Sequence, residues 1–195
     1  MTNDKTRVDA TAPSNVASSE HVANGDRAVA QPASGGWLWS RFAPLGLSVA
    51  LVTLLIDQAH KYWMLHVYDI ESKGRVTITP FLDLVFVKNI GVSYSMFNQS
   101  SQVGQYALTA FAVAASIALW VWLNRAGTGR LMTWSLALII GGALGNAIDR
   151  VLIGGVADFF SMHAFGFYWY VFNIADVAIV AGVAGLLYDS FKGES

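Results

Sequence analysis

The chain has 195 residues, 54% of them hydrophobic and 13% charged, with a formal net charge of -1 and a mean hydropathy of +0.46. That balance excludes an ordinary water-soluble domain, and a charge so near zero gives no basis for nucleic-acid binding. The lack of cysteine removes disulfides and thiol catalysis together.

Residues 1–36 contain no aromatic side chain and carry the breakers "TAPSNVASSE" and "QPASGG". A segment of this kind cannot bury enough apolar surface to fold alone, so a disordered cytoplasmic tail is expected there, ahead of a membrane domain over 37–192. The first apolar run begins only after Arg41, and a charged start leading directly into an apolar core is missing. The first helix is therefore expected to stay as an uncleaved anchor. A bilayer crossing takes roughly 20 apolar residues as helix. Four stretches meet this demand, near 42–65, 104–124, 131–149 and 169–188, the first only by carrying Asp57 and Lys61 into the span.

Between the first two helices, over 66–103, the stretch "GRVTITPFLDLVFVKNIGVSYSMF" combines β-branched and aromatic residues with Pro80 and Gly91 as punctuation. This is strand chemistry, and it predicts a small β-sheet on the outer membrane face, in an otherwise α-helical integral membrane protein. The aromatics Trp63, Tyr68, Phe81 and Phe86, with Phe165, Phe167, Tyr168, Trp169 and Tyr170 of the later loop, place both segments at one lipid–water interface. Counting basic residues near the helix ends sets Arg27, Arg41, Arg125, Arg130 and Lys192 inside against Lys73, Arg75, Lys88 and Arg150 outside. The bias favours cytoplasmic termini only slightly.

With that topology the ionisable residues gather at one level. Asp57 and Lys61 fall in the outer half of helix one, Asp149 and Arg150 at the outer end of helix three, Asp158 in the following loop, and Asp176 about 10 Å into helix four. A charge inside a membrane helix is costly and is usually paired or functional. Asp57 and Lys61 lie four apart on one face, which suits mutual neutralisation as well as substrate contact. Asp149 and Arg150 read as a local ion pair or a helix-end cap, and Asp158 alone reads as a turn residue. Asp176 has no cation within a helical turn in sequence, so any neutralising partner must come from elsewhere in the fold.

Two carboxylates in one poorly hydrated pocket cannot both ionise easily, so one keeps a proton while the other acts as a base. That pairing suits a water-activating aspartic protease. The other hydrolase signatures are missing: there is no H-E-x-x-H, His21, His60, His66 and His163 are scattered, and no G-x-S-x-G occurs. Neither a metal site nor a cofactor is expected. The competing class is a small proton-coupled transporter or channel using the same carboxylates as a relay. A relay needs sites through the full thickness, and the inner halves of helices two to four supply none.

The motifs carry a resemblance. In order, "DQAHKYW", "NIGVSYSMF", "GGALGNAIDR", "GGVADFF" and "FNIADVAI" resemble the five sequence blocks of lipoprotein signal peptidase (signal peptidase II), a bacterial membrane aspartic protease family. Val92, Ser93 and Tyr94 depart from the Ala-Ala-Phe common after the glycine of the second block. The resemblance implies removal of the signal peptide from a diacylglyceryl-modified prolipoprotein, N-terminal to the lipidated cysteine. It implies four transmembrane helices in the inner membrane, cytoplasmic termini, a periplasmic-side sheet, and contact with membrane lipids; a monomer is expected. Carried over by position, the catalytic pair falls on Asp158 and Asp176. Asn89, Gly91, Asn146, Asp149, Arg150 and Asn173 match positions that shape the pocket or hold substrate, and Asp57 and Lys61 match pocket support. A non-catalytic homologue that binds lipoproteins is disfavoured by the presence of both aspartates. For the glycines of "GGALG" and "GVAG" close helix packing is preferred to any chemical role.

Overall fold

Among the described residues, four long helices are accompanied by two strand-bearing connections, one after the first and one after the third. The computed structural model describes residues 38–91, 102–125 and 129–193; the expected tail over 1–36 and positions 92–94 lie outside them. Helix α1 (Ala43–Tyr62) starts with Pro44 in its first turn, where a missing N–H costs nothing. It runs on as a π-helical turn, Trp63–Val67, in which the Tyr68 N–H donates to the Trp63 carbonyl at 2.8 Å. A short helix α2 (Ile70–Lys73) and strands β1 (Val76–Thr79) and β2 (Leu82–Asn89) follow. Then come α3 (Gln102–Arg125), α4 (Arg130–Ile153), β3 (Val156–Ala164), β4 (Phe167–Phe172) and α5 (Ile174–Gly193). Among the described residues, four spans are long and apolar enough to cross a membrane: Ala43–Val67, Gln102–Arg125, Arg130–Ile153 and Ile174–Lys192.

The architecture is the expected one, with one enlargement. The sheet is four-stranded and antiparallel in the order β1-β2-β3-β4, so half of it comes from the connection between the third and fourth spans. Helices that cross alternately put these two connections on the same side, which lets β2 pair with β3 from Leu82↔Met162 to Asn89↔Val156. Two placements change as a result. Asp158 stands on a strand, not in a loop, and residues 169–172, expected as the start of the last helix, form β4. The run "FYWYVF" is aromatic and β-branched, which favours a pleated strand over a helix. Asp176 consequently sits in the first turn of α5, at the end of the bundle, and not deeper in the span.

Helix α4 is the hub, packing on α1, α3 and α5. Its glycines make this possible. A Cβ on Gly141 would lie 2.5 Å from the Ala50 carbonyl oxygen, and one on Gly142 would lie 2.5 Å from that of Ala175. Gly182 of α5 meets the Ser135 carbonyl in the same way. Membrane helices gain little from burying apolar groups against each other rather than lipid, so close backbone approach is what holds them. Val49, Ala50, Ala137 and Ile140 fill the space between α1 and α4. On the strand side, Met64, Ile70, Ala157 and Phe159 form a second core that seats the sheet on the end of the first span.

Candidate active site

Where the bundle meets the sheet, the polar residues singled out from sequence join one hydrogen-bonded network. Asp57, Lys61, Asp149, Asp158, Asn146 and Asn173 are all buried. Uncompensated polar groups in such a place would cost several kcal/mol each, so the partners decide what the site can do.

One half of the network is charge-compensated. Lys61 Nζ lies 2.8 Å from Asp57 Oδ2 and 2.7 Å from Asp149 Oδ2, and it donates to Asn146 Oδ1 at 3.0 Å. All three ammonium donors are thus used. Both carboxylates also reach backbone: Asp57 Oδ1 accepts the Ala175 N–H at 3.0 Å, and Asp149 Oδ2 accepts the Ala157 N–H at 3.0 Å. These two bonds tie α1 to the start of α5 and α4 to β3. The pair expected within helix three does not form. Asp149 turns to Lys61, and Arg150 donates instead to the Asn146 carbonyl at 3.0 Å, because neighbouring residues on a helix point about 100° apart.

The other half holds two carboxylates with neutral amides. Asp158 Oδ1 accepts from Asn173 Nδ2 at 2.6 Å and its Oδ2 from Asn89 Nδ2 at 3.0 Å. Asp176 Oδ1 accepts from Asn146 Nδ2 at 2.9 Å. Asn173 also donates to Asn146 Oδ1 at 3.1 Å, so a chain of amides runs between the two carboxylates. Neither Asp158 nor Asp176 makes an ion pair among the described residues. Burial pushes the Asp158 carboxyl up to about 6, the nearby Asp176 charge adds to the rise, and the bonds from Asn89 and Asn173, with the more distant Lys61 charge, oppose it.

Local folding explains how the residues arrive. Asn173 Oδ1 accepts the Asp176 N–H at 3.0 Å, while Asp176 Oδ2 accepts the Asn173 N–H at 3.1 Å. This reciprocal capping box starts α5 and orients Asp176 in the same stroke. Gly91 sits at φ +85° and donates its N–H to Asn89 Oδ1 at 2.9 Å, a turn that leaves the Asn89 amide free to face Asp158. At Gly145, a Cβ would stand 2.5 Å from Asp57 Oδ2, so only glycine admits the aspartate.

Sequence reasoning passed over Gln58. Its Nε2 lies 3.2 Å from Asp57 Oδ2, 3.2 Å from the Gly145 carbonyl and 3.1 Å from Asp149 Oδ1, bracing both carboxylates of the compensated half. It stands beside Asp57 in the first motif, and its place inside a polar helical segment was the signal available. The spacing Asn-x-x-Asp at 173–176 was likewise a helix-start signature that would have corrected the boundary of the last helix.

Comparison with known proteins agrees with the fold and the motifs. The sequence profile of the family described as Signal peptidase (SPase) II matches residues 49–192. The lipoprotein signal peptidase of Beijerinckia indica subsp. indica is 50% identical over 150 residues, covering 77% of this chain and 89% of the relative. That of Methylocella silvestris is 52% identical over 146 residues, covering 75% and 85%. Among solved structures, a bacterial membrane enzyme determined by the in meso method at 2.3 Å resolution superposes with a TM-score of 0.64 at 27% identity, over 79% of this chain and 92% of that one. With a family profile spanning well over half of its length and relatives at half identity over three quarters of it, the chain belongs to the signal peptidase II family.

Proposed function

We propose that the protein removes the signal peptide from lipid-modified prolipoproteins as an aspartic endopeptidase, with Asp158 and Asp176 as the catalytic pair. The observation that supports this reading best is the contrast within the network: these are the two carboxylates held by amides and backbone, with no ion-pair partner. Asp158, raised to about 6, is the better holder of the shared proton, and Asp176 serves as the base. Asp176 takes a proton from water as the water oxygen bonds to the scissile carbonyl carbon, and Asp158 gives its proton to the carbonyl oxygen. Collapse of the tetrahedral diol breaks the C–N bond as Asp176 passes its proton to the departing nitrogen and a diol hydroxyl returns a proton to Asp158, which restores the pair. Asn173 and Asn146 keep the two carboxyls in register through both steps.

The pair stands at one end of the bundle, where a substrate lipidated beside its scissile bond presents that bond. On this reading both termini are cytoplasmic, the sheet lies on the outer face, and the aromatic hairpin β3–β4 meets membrane lipid. All the residues assigned to the pair and its amides come from one chain, and on this reading the protein acts as a monomer. The transporter reading finds no support among the relatives, and α3 and α5 carry no Asp, Glu, Lys, Arg or His between their first turn and Arg125 or Asp189. Gel-shift cleavage of a purified diacylated prolipoprotein by wild type, Asp158→Asn and Asp176→Asn tests the assignment. Cleavage by wild type alone is expected; a variant that stays folded and cleaves at a near-normal rate removes its residue from the pair.

A further inference from the structure

The two edges of the sheet differ. β1, one edge, has four residues, two of them threonine, and follows Lys73 and Arg75. β4, the other, is "FYWYVF", uncharged throughout, and Phe167, Tyr168, Trp169 and Tyr170 are all exposed. Soluble and membrane proteins alike blunt their edge strands with short length, charge or proline, because an unpaired row of N–H and C=O groups recruits another strand. β1 follows this rule and β4 breaks it. Among the described residues, β4 pairs with β3 alone.

Position gives the open edge a use. β4 runs without interruption into Asn173 and the capping box of Asp176, so the C-terminal end of its edge lies beside that aspartate in the chain. Its Phe172 end also borders an apolar groove of about 500 Å³ that runs from Ile174 and Val177, each within two residues of Asp176, across Phe160 and Met162 of β3 to Phe81 of the β1–β2 turn. The tight turn at Phe165 and Gly166, with φ of 53° and 82°, presents the edge as one arm of a hairpin. Acyl chains cannot satisfy backbone N–H and C=O groups, whereas an extended peptide satisfies them and places alternate side chains toward a groove.

We propose that the free edge of β4 is the docking strand for the substrate, pairing with the extended backbone that flanks the scissile bond while the adjoining groove takes its apolar side chains. This rests on the peptidase reading above. The test is a series of synthetic diacylated substrate peptides in which single backbone N–H groups, at least two residues from the scissile bond, are replaced by ester oxygens. The expected result is a fall in kcat/KM of about tenfold at every second position and little change between them, the signature of one strand edge. Cleavage of all esters at the parent rate, or losses without alternation, overturns the edge pairing and leaves the peptidase reading standing. Failure to cleave the parent peptide overturns both. A spin label at Tyr170 gives a second readout: it should lose mobility when an uncleavable lipidated peptide is added. A label that instead responds only to bilayer composition, or only to protein concentration, assigns the edge to lipid or to a second copy and overturns the proposal.

Discussion

Two groups of aspartates lie side by side in this protein and are treated in opposite ways. Asp57 and Asp149 share the Lys61 ammonium, take further bonds from Gln58, and end on backbone N–H groups of other elements. Asp158 and Asp176 receive only asparagine amides and a backbone N–H. The first arrangement pairs each carboxylate with a cation and joins α1, α4, β3 and α5. The second gives neither carboxylate a direct ion pair, and at Asp158 burial raises the carboxyl to about 6. A carboxylate with a cation is a fastener; one without is available for acid–base work.

The largest effects should come from the uncompensated pair. Asp158→Asn and Asp176→Asn each remove one ionisable group and are expected to lower kcat by about 10²–10⁴-fold, with the fold retained by circular dichroism. The compensated group should answer in stability instead. Lys61→Met leaves two buried carboxylates without their cation and is expected to cost about 3–5 kcal/mol, read as a fall in the denaturation midpoint in detergent. If Lys61→Met unfolded no more readily than wild type, the division between fastener and reactive pair would collapse.

Titration sharpens the same contrast. The folded-state pKa of Asp158 is raised to about 6 from an ordinary value near 3.8, so its contribution to stability is fully present below the lower value and is lost as pH rises through the upper one. Between pH 4 and pH 7 wild type should lose about 1–2 kcal/mol relative to Asp158→Asn, the ideal figure being reduced for solvent screening. A difference of opposite sign would mean that Asp158 is stabilised as the carboxylate. The mildest change is Gln58→Leu, which strips one donor from the brace between Asp57 and Asp149. It should cost about 1 kcal/mol in chemical denaturation and leave cleavage largely intact.

Much of this was legible from residue order. Four apolar stretches, the strand chemistry of 76–89, and a set of aspartates, asparagines and one lysine at a common depth all follow from periodicity, length and the cost of charge in lipid. The last helix was misjudged at its start because an aromatic run satisfies a hydropathy window as well as a strand does; the capping signature at Asn173 and Asp176 was the better guide. Asp158 looked like a turn residue for a related reason. Its strand exists only because β2, some seventy residues earlier, supplies a partner along Val87↔Asp158.

By itself the sequence determined that this is a four-span membrane protein with ionisable groups at one end of its bundle, because transfer of charge and of unpaired backbone into lipid is prohibitive and leaves few other solutions. Only the tertiary structure decided which aspartate received the lysine and which were left to the asparagines. α4, seated on α1 and α5 by its glycines, brought Asp149 to the Lys61 ammonium beside Asp57 and left Asp158 and Asp176 without a direct ion pair.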